Sequence, residues 1–318
     1  MDQQIPGIHH VTAIAGEPQP NIDFYAGVLG LRLVKLTVNF DDPGTYHLYY
    51  GDGRGHPGTI MTFFPWPGAT RGRIGTGQAT VTAFAVPQGA LGYWQARLRE
   101  HQVEHQESRS VVEEPTLAFK DPDGLQLELV SVADADPERV WERGPVPAEF
   151  AIHGFHHVAL CVEGYDRTAG LLTETMGFRL VHSEGNQFRY AVSAEGAGCI
   201  VDLVCAPAGR TGHVSVGTVH HVAWRTPTDE QQVQWRATLS KRQYNVTPVV
   251  DRKYFHSIYF REPGGVLFEI ATDPPGFAVD EPADKLGSHL VLPAWLESAR
   301  PQLERILPKV NVPQERRV

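Results

Sequence analysis

Two stretches of the chain repeat the same order of residues at the same spacing. From His10 the sequence passes through a strand-like run and a helix-like segment to Gly30, and from His157 it does the same to Gly177, an interval of 20 residues in both. Each glycine stands where a helix would end and a new strand begin. Repetition of both residues and spacing predicts that one structural unit occurs more than once in the chain.

A second pair of segments repeats in the same way. The turn-like residues 119–124 lead into an apolar run with Glu128, and residues 260–265 lead into one with Glu269. Together the repeats predict four units of one plan, a strand, a helix and three more strands. In the first unit the helix is predicted over residues 21–29, with Asn21 as its cap. The units cover about residues 5–67, 76–133, 152–207 and 217–272.

Segments outside the units indicate where the chain divides. A proline-rich stretch over residues 137–147 separates the two halves. The tail is predicted to hold one helical stretch near residues 294–307, interrupted or restarted at Pro301. We therefore predict an N-terminal domain of two units, a C-terminal domain of two units and a C-terminal tail, over residues 1–140, 141–272 and 273–318.

Charge and apolar pattern limit the classes of partner. A formal net charge of -9, without a Lys/Arg cluster, argues against a nucleic-acid surface. No apolar run approaches the ~20 residues that span a bilayer, and residues 1–6 lack a basic region followed by an apolar core, so we expect neither a membrane span nor export. Three cysteines without a disulfide framework suit a reducing compartment. We expect a cytoplasmic protein with a small-molecule partner; self-association is left open.

Glu269 is a carboxylate inside the apolar, strand-like residues 266–270, and it therefore needs a polar partner. Histidine pairs recur in one pattern along the chain, at residues 9–10, 156–157 and 220–221. Consecutive side chains of a strand point to opposite faces, so His9 and His10 are predicted to point apart and one histidine of each pair to face Glu269. Two imidazoles and one carboxylate suggest a metal site.

Spacing identifies one imidazole and leaves the other open. Counting back 48 residues from Glu269 gives His221, whereas the same count from Glu128 gives Thr80. The second unit is therefore predicted to lack a histidine ligand, and Glu128 is interpreted as a vestigial site or a salt-bridged residue.

The second imidazole depends on how the units pair, because His10 and His157 occupy equivalent places in units one and three. Pairing of units one and four would give His10, His221 and Glu269. Pairing of units three and four would instead bring together four ligands. These are His157, Asp202, His221 and Glu269.

Several segments together resemble one known superfamily. They are residues 8–14 (IHHVTAI), 23–25 (DFY), 46–50 (YHLYY), 57–59 (PGT), 154–156 (GFH), 263–269 (PGGVLFE), 275–277 (PGF) and 280–281 (DE). The sequence resembles the vicinal oxygen chelate superfamily of glyoxalase I, extradiol ring-cleaving dioxygenases and bleomycin-resistance proteins. More narrowly, it is similar to the hydroquinone-type ring-cleaving dioxygenases.

The resemblance implies an α+β fold in which four βαβββ modules pair into two open, cup-like mixed β-barrels, followed by a tail with a helix. It also implies that the metal is held by the second histidine of the first unit, and hence by His10 together with His221 and Glu269. The implied metal is Fe(II), and Mn(II) suits the same ligands.

Five further residues match family positions around the metal. Tyr259 resembles a tyrosine held near the substrate and is expected to form a hydrogen bond with it. Arg252 matches an arginine position and is expected to stabilise a phenolate. For His9, His220 and Thr12 we expect orientation of the ligands or proton handling.

The leading hypothesis is an Fe(II)-dependent, extradiol-like dioxygenase that opens hydroquinone-type or related phenolic rings with O2. One alternative is a glyoxalase-like metal-dependent lyase or isomerase that uses the set with His157 and Asp202. The other is a metal-free protein of the resistance type that binds a small molecule. Glu269 and His221 belong to both enzymatic hypotheses.

Overall fold

The computed structural model describes residues 4–133, 136, 139–192 and 198–312. Residues 1–3 of the predicted N-terminal segment and residues 137–138 of the predicted linker lie outside the described residues. The described part of the chain contains four units, each with the predicted order of a strand, a helix and three strands.

The first and third units have short helices that continue as π-helices. The first contains β1 (Ile8–Ala15), α1 (Pro18–Ile22) continued by a π-helix (Asp23–Val28), β2 (Arg32–Val38), β3 (Tyr46–Gly51) and β4 (Ile60–Pro65). The second contains β5 (Gln78–Pro87), α2 (Leu91–Glu100), β6 (His105–Arg109), β7 (Pro115–Lys120) and β8 (Gln126–Val132). The third, after a 3-10 turn (Ala148–Phe150), contains β9 (Phe155–Val162), α3 (Asp166–Gly170) continued by a π-helix (Leu171–Thr175), β10 (Arg179–Glu184), β11 (Gln187–Ala191) and β12 (Ile200–Cys205). The fourth contains β13 (Thr218–Thr226), α4 (Asp229–Lys241), β14 (Val250–Asp251), β15 (Phe255–Arg261) and β16 (Leu267–Pro275).

The strands form two mixed sheets of eight strands. Their orders are β14-β15-β16-β13-β1-β4-β3-β2 and β10-β11-β12-β9-β5-β8-β7-β6. Within each unit the first strand runs parallel to the last, and the two units of a sheet meet through their antiparallel first strands. Units one and four therefore share the first sheet, and units two and three share the second. The predicted α+β class, with paired βαβββ modules and a tail that contains a helix, is confirmed.

Each sheet takes one unit from each side of residue 140. The predicted boundary between an N-terminal and a C-terminal domain consequently does not coincide with the boundary between the sheets. As a division into folding units, the domains over residues 1–140, 141–272 and 273–318 stay a prediction.

Side-chain alternation divides the residues of β3 between the main core and the inside of the first cup. Leu48 and Tyr50 belong to the main apolar core. His47 and Tyr49 point the other way, and Tyr49 belongs to a smaller apolar cluster inside the cup. Aromatic and branched residues suit such two-faced strands, because each face packs against a neighbouring layer.

Glycines end the helical segments of units one and three, as the repeat predicted. Gly30 and Gly177 have φ of 72° and 83°, a left-handed conformation that disfavours a side chain. The first helix begins at Pro18, so the predicted cap at Asn21 is wrong. The Asn21 side-chain oxygen instead accepts a hydrogen bond of 2.9 Å from the Tyr50 hydroxyl in the core.

The tail returns to the first unit. Phe277 of a 3-10 turn (Phe277–Val279) packs on Tyr49, with ring centroids 5.1 Å apart. Lys35 of β2 is fully buried and forms ion pairs with Asp280, at 2.6 Å, and with Glu281. A buried ammonium group requires such partners. The tail thus holds the outer strands of unit one against unit four.

The predicted helical stretch of the tail is present in two parts. A 3-10 helix (Ala294–Ala299) is followed by α5 (Arg300–Ile306), and Pro301 lies in the first turn of α5. Among the helices that the structure describes, none is both long and apolar enough to cross a membrane.

Candidate metal centre

Three side chains from three strands of the first sheet converge. His10 lies on β1, His221 on β13 and Glu269 on β16, and their ligand atoms all lie within 4.8 Å of one another. His10 and Glu269 are both cross-strand partners of Ala223, and His221 lies two residues before Ala223 on the same face. In the described part of the chain, no other three His, Cys, Asp or Glu side chains converge in this way.

The distances within this set fit a divalent metal ion. Oε2 of Glu269 lies 2.9 Å from Nε2 of His221 and 3.4 Å from Nε2 of His10, and the two nitrogens are 3.2 Å apart. Ligand atoms about 2.1 Å from an ion and at right angles to one another are about 3.0 Å apart. Oε2 is buried and lies next to the Nε2 atoms of both histidines. A carboxylate oxygen and two imidazole nitrogens that face one another at these distances fit a metal ion between them.

His9 determines which nitrogen of His10 is free. Nε2 of His9 donates to the carbonyl oxygen of Thr272, at 3.1 Å, so the Nδ1 atom of neutral His9 is an acceptor. Nδ1 of His10 lies 2.9 Å from that atom and donates to it. Nε2 of His10 therefore carries the lone pair that a metal ligand needs.

A β-bulge brings each histidine of a pair into contact with the other. The strand register shifts at His9 in β1 and at His220 in β13. Nδ1 of His220 lies 2.8 Å from Nδ1 of His221, as in the first pair. The prediction that His9 and His10 point apart was wrong, because a bulge changes the direction of one side chain in a strand.

Burial and mutual charge set the protonation of the site. Burial alone would raise the pKa of Glu269, but the imidazoles of His10 and His221 outweigh this effect and hold the pKa well below its usual range. Burial lowers the pKa of His221 and, far more strongly, that of His9; it lowers the pKa of His220 to about 3. Near neutral pH the Glu269 carboxylate is thus ionised and the His221 imidazole is neutral, the forms that bind metal.

Residues of β15 orient the carboxylate and stand beside it. Ser257 donates a hydrogen bond of 2.5 Å to Oε1 of Glu269, which leaves Oε2 for the histidines. Tyr259 is the cross-strand partner of Glu269. Nε of Arg252 donates to the Tyr259 hydroxyl oxygen at 3.1 Å, and its Nη1 atom donates to Asp41 of the first unit at 2.9 Å.

A cavity of about 370 Å³ opens onto the ligands. This volume suits a small molecule. Its lining is largely aromatic, with polar groups at a few points. Besides the three ligands, the lining residues are Asn39, Phe40, Asp41, His47, Tyr49, Phe64, Trp66, His220, Arg252, Phe255, Tyr259 and Leu267.

Thr12 begins a chain of polar contacts that leads away from the ligands. It is the cross-strand partner of His221, and its hydroxyl lies 2.9 Å from that of Thr62. The Thr62 hydroxyl lies 2.8 Å from Nε2 of His47, and Nδ1 of His47 lies 2.8 Å from the Tyr49 hydroxyl. Thr12 thus contacts this chain and lies outside the cavity lining.

In the second sheet, His157 and Glu128 occupy the places that His10 and Glu269 have in the first, because Ala83 pairs with both of them. Nε2 of His157 is 3.9 Å from Glu128. A groove of about 1140 Å³ reaches Glu128, so the larger cavity lies away from the converging ligands. Cavity size alone therefore does not identify the candidate site.

Arg189 contributes a positive charge to this second site. It donates to both carboxylate oxygens of Asp202, at 2.7 and 2.8 Å. His157 and Asp202 belong to the second sheet, whereas His221 and Glu269 belong to the first. The four-ligand set considered from the sequence is therefore not assembled.

Strand pairing also corrects the residue that replaces His221 in the second unit. His221 pairs with Thr12 next to the bulge at His220, and Val81 pairs with Ala159 next to a bulge at residue 80. Val81, rather than Thr80, therefore occupies the place of His221. The count of 48 residues was displaced by one because the segment between the two positions is one residue longer in the fourth unit than in the second.

Several residues near the site were not predicted from the sequence. Ser257 could have been found by the period of two in strands, since it lies two residues before Tyr259 and shares its face. His47 and Tyr49 lie in a segment that carried the family resemblance without an assigned role. Asp41 is an exposed loop residue, and no sequence signal connects it with Arg252.

Two sheets of paired βαβββ units, with this set of side chains inside one cup, define a recognisable class. The chain belongs to the glyoxalase/bleomycin resistance protein/dioxygenase superfamily, whose family model matches residues 7–129 and 154–270. The resemblance seen in the sequence is thereby confirmed.

Within the class, the similar proteins have names that describe dioxygenases. The chain is 50% identical over 305 residues, 96% of each protein, to MhqO of Bacillus subtilis (strain 168), a provisionally named ring-cleaving dioxygenase. It is 32% identical over 315 residues, 96% of this chain and 97% of the relative, to a chlorohydroquinone/hydroquinone 1,2-dioxygenase of Sphingobium indicum. A crystal structure of a provisionally named dioxygenase from Bacillus subtilis has a TM-score of 0.93 at 49% identity, over 98% of this chain and 99% of that chain.

Proposed function

We propose that this protein is an Fe(II)-dependent, extradiol-like dioxygenase that uses O2 to open the ring of a hydroquinone or a related phenol. The observation that carries the proposal is the convergence of His10, His221 and Glu269 on a small, aromatic-lined cavity. Two imidazoles and one carboxylate on one side of an ion are the pattern of non-haem Fe(II) oxygenases. Mn(II) suits the same ligands and is the alternative metal.

When bound, Fe(II) supplies a redox-active centre with open positions for the substrate and O2. His10, His221 and Glu269 would hold the ion. His9 keeps the His10 imidazole in the tautomer with a free Nε2, and His220 makes the corresponding contact with His221.

Tyr259 is proposed to donate a hydrogen bond to the substrate oxygen. Burial, together with the charge of Glu269, raises the pKa of the Tyr259 hydroxyl, so it stays neutral at physiological pH. Its oxygen accepts from Arg252, and its own hydrogen is the one proposed to reach a ligand in the cavity. Arg252, held in turn by Asp41, places a positive charge beside a phenolate.

The names of the similar proteins support ring cleavage, and the Sphingobium relative supports a hydroquinone as substrate. The glyoxalase-like alternative receives no support, because His157 and Asp202 lie in the other sheet from His221 and Glu269. A metal-free binding protein would leave the convergence of His10, His221 and Glu269 in a buried site without an explanation. A cytoplasmic location stays a prediction.

Substitution of Glu269 tests the proposal. Protein loaded with Fe(II) under anaerobic conditions is mixed with hydroquinone, and oxygen uptake and ring-opened product are measured. We expect Glu269→Gln to lower iron retention and oxygen uptake by more than about 100-fold, beyond the loss usual for residues that only support a ligand. Glu128→Gln, at the matching place in the second sheet, is the control and is expected to keep both. Full iron content and full uptake in Glu269→Gln would refute the proposal.

A further inference from the structure

His47 and Tyr49 form a polar pair in an otherwise aromatic part of the cavity. Both line it, and the Tyr49 hydroxyl is hydrogen-bonded to Nδ1 of His47 at 2.8 Å. The rings lie close, with centroids 3.9 Å apart, and the imidazole also packs against Phe64. A buried polar pair of this kind is costly unless it is satisfied, so it calls for an explanation.

Other polar groups of the lining already have partners within the site. Asp41 and Tyr259 are bound to Arg252. His220 contacts His221. The His47 imidazole, in contrast, has both nitrogens engaged away from the ligands, with Thr62 and with Tyr49. A series of hydrogen bonds thus runs from Thr62 through His47 to Tyr49. The Tyr49 oxygen ends this series on the side of the cavity.

The strand register places the pair three strands away from the ligand strand β13 along the wall of the cup, and His47 interacts electrostatically with His10 and His221. His221, Thr12, Thr62 and Tyr49 are successive cross-strand partners on β13, β1, β4 and β3. Three strand spacings correspond to about 14 Å along the sheet. Nevertheless Tyr49 and His221 line the same cavity. The series of hydrogen bonds therefore runs along the cavity wall from Thr12, which pairs with the ligand His221, to the Tyr49 hydroxyl.

We propose that His47 and Tyr49 recognise the distal hydroxyl of the substrate, the one on the opposite side of the ring from the oxygen at the metal centre. The inference deepens the proposed function, on which it rests, by selecting 1,4-dihydroxylated rings over rings with one hydroxyl or with two adjacent hydroxyls. A phenolic hydroxyl both donates and accepts, and the Tyr49 end of the chain can do either, depending on the direction of its hydrogen bonds.

This arrangement gives selectivity for a physical reason. A ring without the distal hydroxyl would leave the Tyr49 hydroxyl without a ligand partner in a largely aromatic cavity. Sites built to bond a substrate hydroxyl discriminate against an analogue that lacks it, because their own polar group is then unsatisfied. Two adjacent hydroxyls would both lie near the metal centre and leave Tyr49 without a partner.

Tyr49→Phe removes the hydroxyl and keeps the ring. Tyr46→Phe is the matched control, because Tyr46 lies on the opposite face of β3 and its hydroxyl donates to the Pro308 carbonyl, at 2.9 Å. The Fe(II)-loaded proteins are titrated anaerobically with hydroquinone, phenol and catechol by calorimetry. Anaerobic conditions prevent turnover, so affinity is measured independently of catalysis.

We expect wild type and Tyr46→Phe to bind hydroquinone at least about 10-fold more tightly than phenol, and Tyr49→Phe to lose most of this ratio. A wild-type protein without the preference, or a Tyr49→Phe variant that retains it in full, would overturn the inference. If Tyr49→Phe does not fold, His47→Gln is used instead. Its amide is expected to reach Thr62 but not Tyr49, so the ratio should fall several-fold; an unchanged ratio in that variant overturns the inference equally.

Oxygen uptake with the same three compounds separates this inference from the proposed function. Absence of uptake with every ring contradicts the dioxygenase, while the binding ratio still decides the role of Tyr49. Ring opening by wild type, with an unchanged ratio in Tyr49→Phe, contradicts only the role of Tyr49.

Discussion

His9 affects the candidate metal centre from outside the cavity. It is almost completely buried, it does not belong to the cavity lining, and it contacts the Thr272 carbonyl on one side and His10 on the other. The position of His9 stabilises the tautomer of His10 whose Nε2 atom is free. A neighbour that sets the tautomer of a ligand changes metal affinity without touching the metal.

His9→Ala removes the acceptor for Nδ1 of His10. We expect the affinity for Fe(II) to fall by about 10- to 100-fold, the loss usual for residues that orient a ligand. Competition with a chelator of known affinity measures this. His156→Ala is the control, because His156 occupies the same bulge position beside His157 in the second sheet. Equal affinities in wild type and His9→Ala would contradict the role assigned to His9.

Glu128 is a largely buried carboxyl group of the second sheet, and the Asp202 carboxylate lies near it. Burial, together with the nearby carboxylate of Asp202, raises its pKa from 4.5 to about 7. Because the folded chain binds this proton more tightly than the unfolded chain, the contribution of Glu128 to stability is full below about pH 4.5 and is lost as the pH rises through 7.

Glu128→Gln abolishes this titration. We expect the variant to gain stability relative to wild type between pH 5 and pH 8, by about 1–3 kcal/mol, with the lower value favoured by the partial solvent exposure of the side chain. Urea unfolding at the two pH values measures the difference. A stability difference between the two proteins that does not change with pH would show that Glu128 titrates normally.

At the scale of strands, the repeat predicted the elements and missed their irregularities. Four units, their order and the glycines at residues 30 and 177 follow from residues and spacing alone. The bulges at His9 and His220 do not, because one extra residue in a strand depends on its partner strand. The apolar run and the repeats therefore identified Glu269 and the histidine pairs, but the alternation rule failed on the contact between neighbouring histidines.

The tail stabilises the first cup through a buried ion pair on β2. Lys35 has a fully buried side chain, and both of its partners, Asp280 and Glu281, come from the tail. Removing one partner of such a group leaves uncompensated charge in the interior, which usually costs about 3–5 kcal/mol.

Lys35→Met should therefore lower the free energy of unfolding by about 3–5 kcal/mol, as measured by urea denaturation. Combining it with Glu281→Gln should recover a large part of this loss, since the other partner, Asp280, keeps its ion pair with Lys253. Lys285→Met, at an exposed position of the same tail, is the control and is expected to change stability by less than about 0.5 kcal/mol. A similarly small effect of Lys35→Met would mean that the tail contributes little to stability.

At the scale of the whole molecule, the undecided question was which units pair. His10 and His157 are equivalent in sequence, and the strands that carry them meet partner units in the same way. Hydrophobic pattern cannot distinguish the pairings, because every first strand presents a similar face to its partner. The distinction lies in contacts between distant segments, such as Arg252 with Asp41 and Lys35 with the tail.

Separate expression of residues 1–140 and 141–318 tests whether the predicted domains are folding units. Both joints between units, β1 with β13 and β5 with β9, connect one half with the other, so each half alone exposes two unpaired first strands. The proposed ligands are also divided, with His10 in one half and His221 and Glu269 in the other. We expect neither half alone to retain Fe(II), and the co-expressed halves to form a complex that does, as measured by metal analysis after size-exclusion chromatography. A stable monomeric half with an ordered sheet would show that each half can pair its own units, and would support the division at residue 140.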